Sequence, residues 1–142
     1  LKVAADLLWK GADFKSIAKV QFGTKRISQM KMLGRVFSRL NVNEKKVTRS
    51  FVTNRDFEEC EASREDTAGA IDYLNSIPDG KFSLFLSEDG KGNVKGSLRT
   101  RDEEIDLCKV ASVFGGGGHK KASGFSLPGK IKADISGVKI SS

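Results

Sequence analysis

The chain has 142 residues and a mass of 15.5 kDa, which suits one domain with its own core and is too short for two large domains. Hydrophobic residues make up 38% of the chain and charged residues 30%, a balance that excludes an intrinsically disordered protein. Lys and Arg outnumber Asp and Glu by 25 to 18, so the formal charge of +7 favours an anionic partner: a nucleotide, a nucleic acid or a membrane surface.

No apolar run approaches the ~20 residues that cross a membrane, and Asp6 interrupts the apolar residues where a secretory signal would lie. Cys60 and Cys108 are too few and too far apart for a disulfide scaffold, and with His119 as the one histidine they do not make a zinc cluster. We therefore expect two reduced thiols in a cytoplasmic protein without a membrane partner. Because the chain starts at Leu1 rather than Met, we also expect it to be a piece of something longer.

The charge is uneven along the chain. Residues 1–53 carry 12 basic and 3 acidic groups, residues 54–92 carry 4 and 10, and residues 93–142 carry 9 and 5. Two basic stretches therefore flank an acidic middle. The first stretch is typical of a solvated helix surface, since Lys and Arg are common on exposed helix faces, and it also suits a nucleic-acid-binding surface.

Helices are predicted over the first 40 residues. One helix ends near Gly11, a short second helix follows Asp13 and runs to Val20, and residues 1–23 together are interpreted as a helical connector. A third helix begins after Thr24, and apolar residues recur along it at intervals of three and four. The apolar residues that define this stripe are Ile27, Met30, Leu33, Phe37 and Leu40.

Strands and helices alternate in the rest of the chain. Turn residues and hydrophobic periodicity predict a strand over 45–53, a helical turn over 54–60, a helix over 64–77, strands over 82–86 and 94–100, and a helix over 102–114. This mixture predicts an α/β fold in which a small mixed β-sheet is flanked by helices and preceded by the connector.

The strand over 94–100 carries a row of polar side chains. Alternate side chains of a strand share a face, so Val94 and Leu98 suit the core, while Lys95, Ser97 and Arg99 lie on the opposite face. An ordinary exposed sheet face gives the same pattern, but two cations and a hydroxyl in a row also suit an anion. Arg99 is the stronger candidate because its planar guanidinium can hold a phosphate through two hydrogen bonds.

A glycine-rich segment follows the last predicted helix. Four consecutive glycines disfavour both a helix and a strand, and their bare backbone lets a ligand approach closely and can form an anion-binding nest. The segment matches neither the P-loop nor the dinucleotide-binding motif. A flexible linker is the alternative, but linkers of that kind lack flanking aromatic anchors. In order, the segment consists of Phe114, the glycines at 115–118, His119, Lys120, Lys121, Ala122, Ser123, Gly124 and Phe125.

Together these two segments resemble the C-terminal half of the DHH phosphoesterases, which are named for an Asp-His-His metal motif in their N-terminal half. The resemblance is carried by Ser-Leu-Arg-Thr at 97–100, the helix after it, and Gly-Gly-Gly-Gly-His-Lys-Lys-Ala-Ser-Gly-Phe at 115–125. It is strong over 94–126 and fainter over 24–93. The branch most similar is the nanoRNase and pAp phosphatase group, bacterial oligoribonucleases that also take nucleoside 3′,5′-bisphosphates; cyclic-di-AMP phosphodiesterases share the same loop.

The resemblance implies a division of labour between two domains. In such enzymes the N-terminal catalytic domain holds two Mn²⁺ ions, and the C-terminal domain grips the substrate across a cleft. Residues 24–142 would be that substrate-binding domain, and its partners would be a short RNA or nucleotide phosphate and the N-terminal catalytic domain of the same parent chain. The substrate-binding residues that the resemblance implies are Ser97, Arg99, Arg101, Gly115, Gly116, Gly117, Gly118, His119, Lys120 and Lys121.

The sequence lacks an Asp-His-His motif and has a single histidine, whereas two-metal hydrolysis needs several carboxylate and imidazole ligands. We therefore assign no catalytic residue, metal ligand or cofactor to this chain and expect it to bind a nucleotide without hydrolysing it. Mn²⁺ is implied only for the missing catalytic domain.

Two other interpretations stay open. A stand-alone single-stranded nucleic-acid-binding module is favoured by the basic residues 1–53, although no stacking platform of aromatic residues is evident. The glycine-rich C-terminal domain of alanyl-tRNA synthetases is related to the same family, but the Ser-Leu-Arg strand together with the histidine after the glycines disfavours it.

Overall fold

The computed structural model describes residues 26–134 and 137–141, so the predicted connector over 1–23 and the Thr24 cap lie outside the described residues. No helix in the described part of the chain is long and apolar enough to cross a membrane. The helices are α1 (Ile27–Ser38), α2 (Asn54–Glu59), α3 (Ala70–Asn75) and α4 (Leu107–Val113), with a 3₁₀ helix at Arg64–Thr67. The strands are β1 (Asn41–Val42), β2 (Val47–Val52), β3 (Phe82–Glu88), β4 (Asn93–Thr100), β5 (Gly117–His119), β6 (Ala122–Pro128), β7 (Lys130–Asp134) and β8 (Gly137–Ser141).

Six strands form one mixed sheet in the order β1-β2-β3-β4-β6-β5. Strands β2 and β3 run parallel, and the other neighbouring pairs are antiparallel. Strands β7 and β8 form a separate antiparallel hairpin. A mixed sheet with helices confirms the predicted α/β fold.

The two faces of the sheet are covered by different elements. On the front face, defined by the side chains of Val52, Phe85 and Ser97, the β2–β3 half packs under α1 and α3 through residues such as Met32 and Leu74. The rest of the front face is open: the side chains that β4 and β5 present there are exposed or half-buried.

The back face carries the other side chains of the same strands. Leu98 of β4 packs there against Leu107 and Ala111 of α4. Val94 packs against Ile131 of the β7–β8 hairpin. The two faces therefore have separate hydrophobic cores, one under α1–α3 and one under α4 and the hairpin.

Helix α1 buries a different stripe from the one that the sequence predicts. Met32, Leu33 and Val36 are buried, whereas Ile27 and Phe37 are 74% and 45% exposed. The helix carries apolar residues on two sides, and a helix packed on one sheet buries only one of them. Of the predicted stripe, Leu33 is buried, Leu40 packs at the edge of the core, and Met30 is exposed.

Two predicted helices are shorter than expected. The helix predicted over 64–77 is divided into the 3₁₀ helix and α3 by Gly69, whose φ of +84° is accessible to glycine and breaks the helical hydrogen-bond pattern. The helix predicted over 102–114 begins only at Leu107, because the Asp102 carboxylate accepts a hydrogen bond from the amide of Glu104 and holds a turn. Asp106 then caps the helix by accepting from the amide of Cys108, 3.0 Å away.

Strands β1 and β5 to β8 were not predicted. Their sequences are short, polar or rich in glycine, which lowers intrinsic strand propensity. Pairing with a neighbouring strand stabilises them nonetheless, and β6 pairs with β4 along seven residues. In particular, β5 contains two of the four glycines, although consecutive glycines are predicted to disfavour a strand.

Asp56 joins α1 to the start of α2 through a buried ion-pair network. Its carboxylate accepts hydrogen bonds from Arg39 at 2.5 and 2.8 Å, from Arg35 at 3.1 Å and from the Thr53 amide at 2.7 Å. Burial raises the pKa of Asp56, but the hydrogen bonds from Arg39 and Thr53 outweigh it and lower the pKa to about 2. The residue is 1% exposed, so this network holds the helical layer together from inside.

We expect Asp56→Asn to destabilise the protein by about 2–3 kcal/mol, because the substitution removes charge-assisted hydrogen bonds and leaves two arginines without their carboxylate. Since the pKa of Asp56 is lower in the folded chain than its ordinary value of 3.8, its contribution is present above pH 4 and is lost as the pH falls through 2. Chemical unfolding between pH 2 and 7 measures both effects.

The control is Glu58→Gln, which removes the same charge from an exposed side chain of α2. Asp56→Asn should flatten the dependence of stability on pH between 4 and 2, and Glu58→Gln should leave it as in the wild type. Equal stability of the two variants would contradict a structural role for the network.

Candidate functional site

Arg99 and His119 lie in one row across the open front face. Strand pairing places Arg99 of β4 opposite Ala122 of β6, and Ala122 opposite His119 of β5. Paired residues point to the same side of a sheet, and neighbouring strands are about 4.8 Å apart, so the Cα atoms of Arg99 and His119 are about 10 Å apart. The guanidinium and the imidazole therefore lie on either side of β6. The distance between their strands leaves space for one small ligand.

The next row contains almost no side chains. Ser97 of β4 lies opposite Gly124 of β6, which lies opposite Gly117 of β5. Two glycines beside a serine leave bare backbone next to the hydroxyl. Together the two rows form a shallow surface with Arg99 and His119 at the two ends of one row and a hydroxyl in the other.

Arg99 is half-buried and only partly engaged by the protein. One terminal nitrogen of its guanidinium donates a hydrogen bond to the backbone carbonyl of the preceding residue, Leu98, at 2.8 Å. Within the described residues, its other N–H groups and the imidazole of His119 make no hydrogen bond, and His119 is exposed. Both side chains are therefore available to an anion.

The glycine segment is anchored by aromatic packing. The rings of Phe114 and Phe125 lie 4.8 Å apart, which confirms that these residues hold the segment at both ends. A hydrogen bond from Ser123 Oγ to the carbonyl of His119, at 2.6 Å, ties β5 to β6. The amide of Leu107 donates to the carbonyl of Lys120 at 2.8 Å and joins the hairpin turn to α4.

The predicted anion nest is not formed by the first two glycines. The amides of Gly115 and Gly116 donate to the carbonyls of Ser112 and Ala111, at 3.1 and 2.9 Å, and so satisfy the C-terminal end of α4. These N–H groups are not free for a ligand. Gly118 belongs to β5 and lies opposite Ser123 on the back-face side of the strand pair.

The three remaining predicted cations lie at the edge of the site. Lys121 donates to Glu103 and lowers the pKa of that exposed carboxyl, so it is paired within the protein. Lys120 is exposed in the same turn. Arg101 follows the end of β4 and donates to the Ile77 carbonyl at 3.4 Å, which directs it toward the end of α3.

Gly124 belongs to the site and was missed by sequence reasoning. Its signal was hidden because residues 122–128 were not predicted as a strand, and without β6 there is no partner for Ser97 or Gly117.

No three His, Cys, Asp or Glu side chains of residues 26–134 and 137–141 come together in a way that could hold a metal ion. The Mn²⁺ ions that the resemblance implies thus have no fitting ligand set in this part of the chain.

Comparison with known proteins supplies the family. Residues 44–135 match the DHHA1 domain, a region that includes strands β2 to β7, α4 and the glycine segment. The chain belongs to the DHHA1 domain family. This confirms the resemblance to the C-terminal domain associated with DHH-family proteins.

This chain matches three longer proteins and covers 14%, 36% and 42% of their lengths. An A-adding tRNA nucleotidyltransferase of Aquifex aeolicus (strain VF5) is 29% identical over 128 residues, which are 87% of this chain and 14% of the relative. An exopolyphosphatase-related protein of Bacteroides fragilis has 29% identity and a TM-score of 0.67, with 85% of this chain and 36% of that chain covered. The pGpG-specific phosphodiesterase PggH of Vibrio cholerae, at 15% identity and a TM-score of 0.51, shares the fold over 87% of this chain and 42% of its own.

We expect Gly116→Ala to destabilise the protein by about 1–3 kcal/mol, because its Cβ would lie 2.7 Å from Phe125 Cβ and 2.8 Å from Phe125 Cα. Gly117→Ala is the matched control for stability, since nothing lies within 4 Å of its Cβ. Thermal unfolding of both variants measures the difference, and a Gly116→Ala variant as stable as Gly117→Ala would contradict the close packing of the segment on β6.

Proposed function

We propose that this chain is the nucleotide-phosphate-binding domain of a larger DHH-type phosphoesterase in the cytoplasm. The observation that carries the proposal is the pair of rows on the front face, in which Arg99, His119 and Ser97 surround the bare backbone of Gly117 and Gly124. A guanidinium and an imidazole can both donate to phosphate oxygens, and glycine lets the ligand lie close to the sheet.

The substrate proposed is short RNA, a nucleoside 3′,5′-bisphosphate such as pAp, or a related nucleotide. The DHHA1 match supports an N-terminal DHH catalytic domain as the partner, because this domain typically accompanies one. The chain covers 36% of the B. fragilis relative, which leaves room there for such a domain. In this proposal the catalytic domain, outside this chain, holds two Mn²⁺ ions and performs hydrolysis.

A second candidate is an RNA-binding accessory domain. The A. aeolicus relative is named for a reaction on tRNA, which favours a polynucleotide ligand. Against an extended nucleic-acid surface, three arginines of the first basic stretch are engaged in ion pairs. Arg26 pairs with Asp66 at 2.6 Å, and Arg35 and Arg39 pair with Asp56.

A salt titration separates the two candidates. A nucleotide pocket that contacts one or two phosphates should give a shallow dependence of log affinity on log salt concentration, whereas an extended RNA surface should give a steep one. Fluorescence anisotropy of a labelled oligoribonucleotide measures the slope, and a slope that corresponds to many phosphates would favour the RNA-binding domain.

We expect Arg99→Ala to weaken binding of pAp by about 10- to 100-fold, as for the loss of a charge-assisted hydrogen bond. Arg49→Ala is the matched control, because Arg49 lies opposite Leu84 on the back face and contacts Asn41. Isothermal titration calorimetry of the three proteins measures the effect. Unchanged affinity of Arg99→Ala, or an equal loss with Arg49→Ala, would remove Arg99 from the site.

We also expect the 142-residue chain to release no phosphate from pAp in the presence of Mn²⁺, because the described residues offer no metal-binding cluster. Colorimetric phosphate release measures this. Turnover by the purified chain that is abolished in His119→Ala would overturn the assignment of catalysis to a separate domain.

A further inference from the structure

The back face of the sheet contains an apolar groove of about 460 Å³. One wall is α4, with Val110 and Phe114, and the other is the β7–β8 hairpin, with Val138 and Ile140. Side chains of β2, β3, β4 and β6 form the floor. The groove therefore runs between the two hydrophobic clusters of that face, on the side of the sheet opposite the candidate site.

The apolar side chains of the groove are only partly covered. Phe82 and Leu84 of β3 are half-buried, and so are Val138 and Ile140 of the hairpin. Phe114, at the end of α4, is 43% exposed. Apolar surface gathered in one concave place suits a small apolar ligand, and the volume lies within the range of about 300–1,000 Å³ that ligand pockets occupy.

Arg49 is the one charged side chain among the described residues that line the groove. It lies on β2 between Val47 and Phe51, which share its face of the strand, and opposite Leu84 of β3. Apolar side chains thus adjoin it along its own strand and on the next strand. A half-buried cation in such surroundings gains from an anion that replaces the water it has lost.

The guanidinium of Arg49 is only partly engaged within the fold. Its Nε donates to Asn41 Oδ1 at 2.9 Å, across the β1–β2 pair, and its two terminal nitrogens make no hydrogen bond within the described residues. Arg39 lines a smaller depression next to it, but both terminal nitrogens of Arg39 donate to Asp56. Arg49 is therefore the arginine of the groove that can hold a carboxylate through two hydrogen bonds.

The groove extends from a charged end to an apolar end. Arg49 is on β2 and Phe125 is on β6, three strand spacings away, which is about 14 Å. An extended medium-chain acyl group with its carboxylate at Arg49 has this length. A protein helix is a poorer fit, since three turns with a diameter of about 10 Å and a pitch of about 5.4 Å occupy roughly 1,200 Å³.

We propose that the back-face groove binds a small amphiphilic carboxylate, a ligand with one carboxylate and an extended apolar tail, as in a medium-chain fatty acid. The carboxylate binds the guanidinium of Arg49. The tail lies over Leu84, between α4 and the β7–β8 hairpin, and points toward Phe125. The sheet separates this groove from Arg99 and His119, so the proposal goes beyond the proposed function and does not rest on it.

The test is calorimetric titration of the 142-residue chain with sodium decanoate, sodium acetate and decyltrimethylammonium chloride. Decanoate has both the carboxylate and the tail, acetate has the carboxylate alone, and decyltrimethylammonium has the same tail with the opposite charge. We expect decanoate to bind about tenfold more tightly than either of the others, because it alone matches both ends of the groove.

We expect Arg49→Gln to weaken decanoate binding about tenfold and to remove the preference over decyltrimethylammonium, because glutamine is polar but carries no charge. Lys139→Gln is the matched control: it removes the same charge from an exposed side chain of β8, between Val138 and Ile140, and should change neither affinity. The comparison of the three ligands on the wild-type chain needs no variant, so it tests the site even if Arg49→Gln lowers stability.

The other outcomes overturn the proposal. Equal affinity of the wild-type chain for decanoate and decyltrimethylammonium would leave Arg49 without a role in binding. Unchanged decanoate affinity in Arg49→Gln would do the same, and an equal loss in Lys139→Gln would reduce the effect to net charge. If decanoate does not bind the wild-type chain, the groove is not a site for this class of ligand, whether or not pAp binds on the front face.

Discussion

The packing of Phe125 against Gly96 determines the arrangement on which the candidate site depends. These residues lie opposite each other on β6 and β4, and a Cβ on Gly96 would lie 2.5 and 2.6 Å from Cε1 and Cε2 of the Phe125 ring and closer still to its Cζ. The ring also packs on Phe114 at the end of α4. One side chain on the back face thus packs on β4 and on the end of α4 at once, and it favours the observed register of β6. Because paired residues share a face, this register places Ser97 and Arg99 beside Gly124 and Ala122 on the front.

The net charge of +7 describes the surface poorly, because many of the charged side chains form ion pairs within the fold. The acidic middle of the chain folds against the first basic stretch, where Asp66 pairs with Arg26 at the start of α1, and Asp56 pairs with Arg35 and Arg39 at its end. These ion pairs stabilise the helical layer. They also engage arginines of the first basic stretch, which had suggested a nucleic-acid-binding surface. Arg99 and Lys95 of β4 stay available on the front face. A short anionic ligand on one strand therefore fits the structure better than a broad basic surface.

The sequence predicts local features of this fold more accurately than the ends of its helices and the number of its strands. Period-two alternation identifies β4 and the face of Arg99, since strand geometry makes that inference local. Helix ends are less accurate, because a turn held by Asp102 and a left-handed Gly69 shorten two predicted helices. Strands β5 to β8 escape prediction because their glycine and polar residues have a low strand propensity and are stabilised by pairing, β6 with β4 and β5, and β7 with β8. The apolar stripe of α1 is correct only in part: Leu33 is buried, whereas Ile27 and Phe37 are exposed, because the helix carries apolar residues on two sides and the sheet covers one.

The sequence by itself determined the family, the alternation on β4 and the two aromatic residues that enclose the glycine segment. These depend on neighbouring residues and on motif spacing. Only the tertiary structure decided that Arg99 and His119 lie in one row, since that depends on β6 pairing between β4 and β5. It also decided that Gly115 and Gly116 complete the hydrogen bonds of α4, and that Arg49 lies in an apolar groove. Strand order and register join residues distant in sequence, and the spacing of residues along one segment carries no information about either.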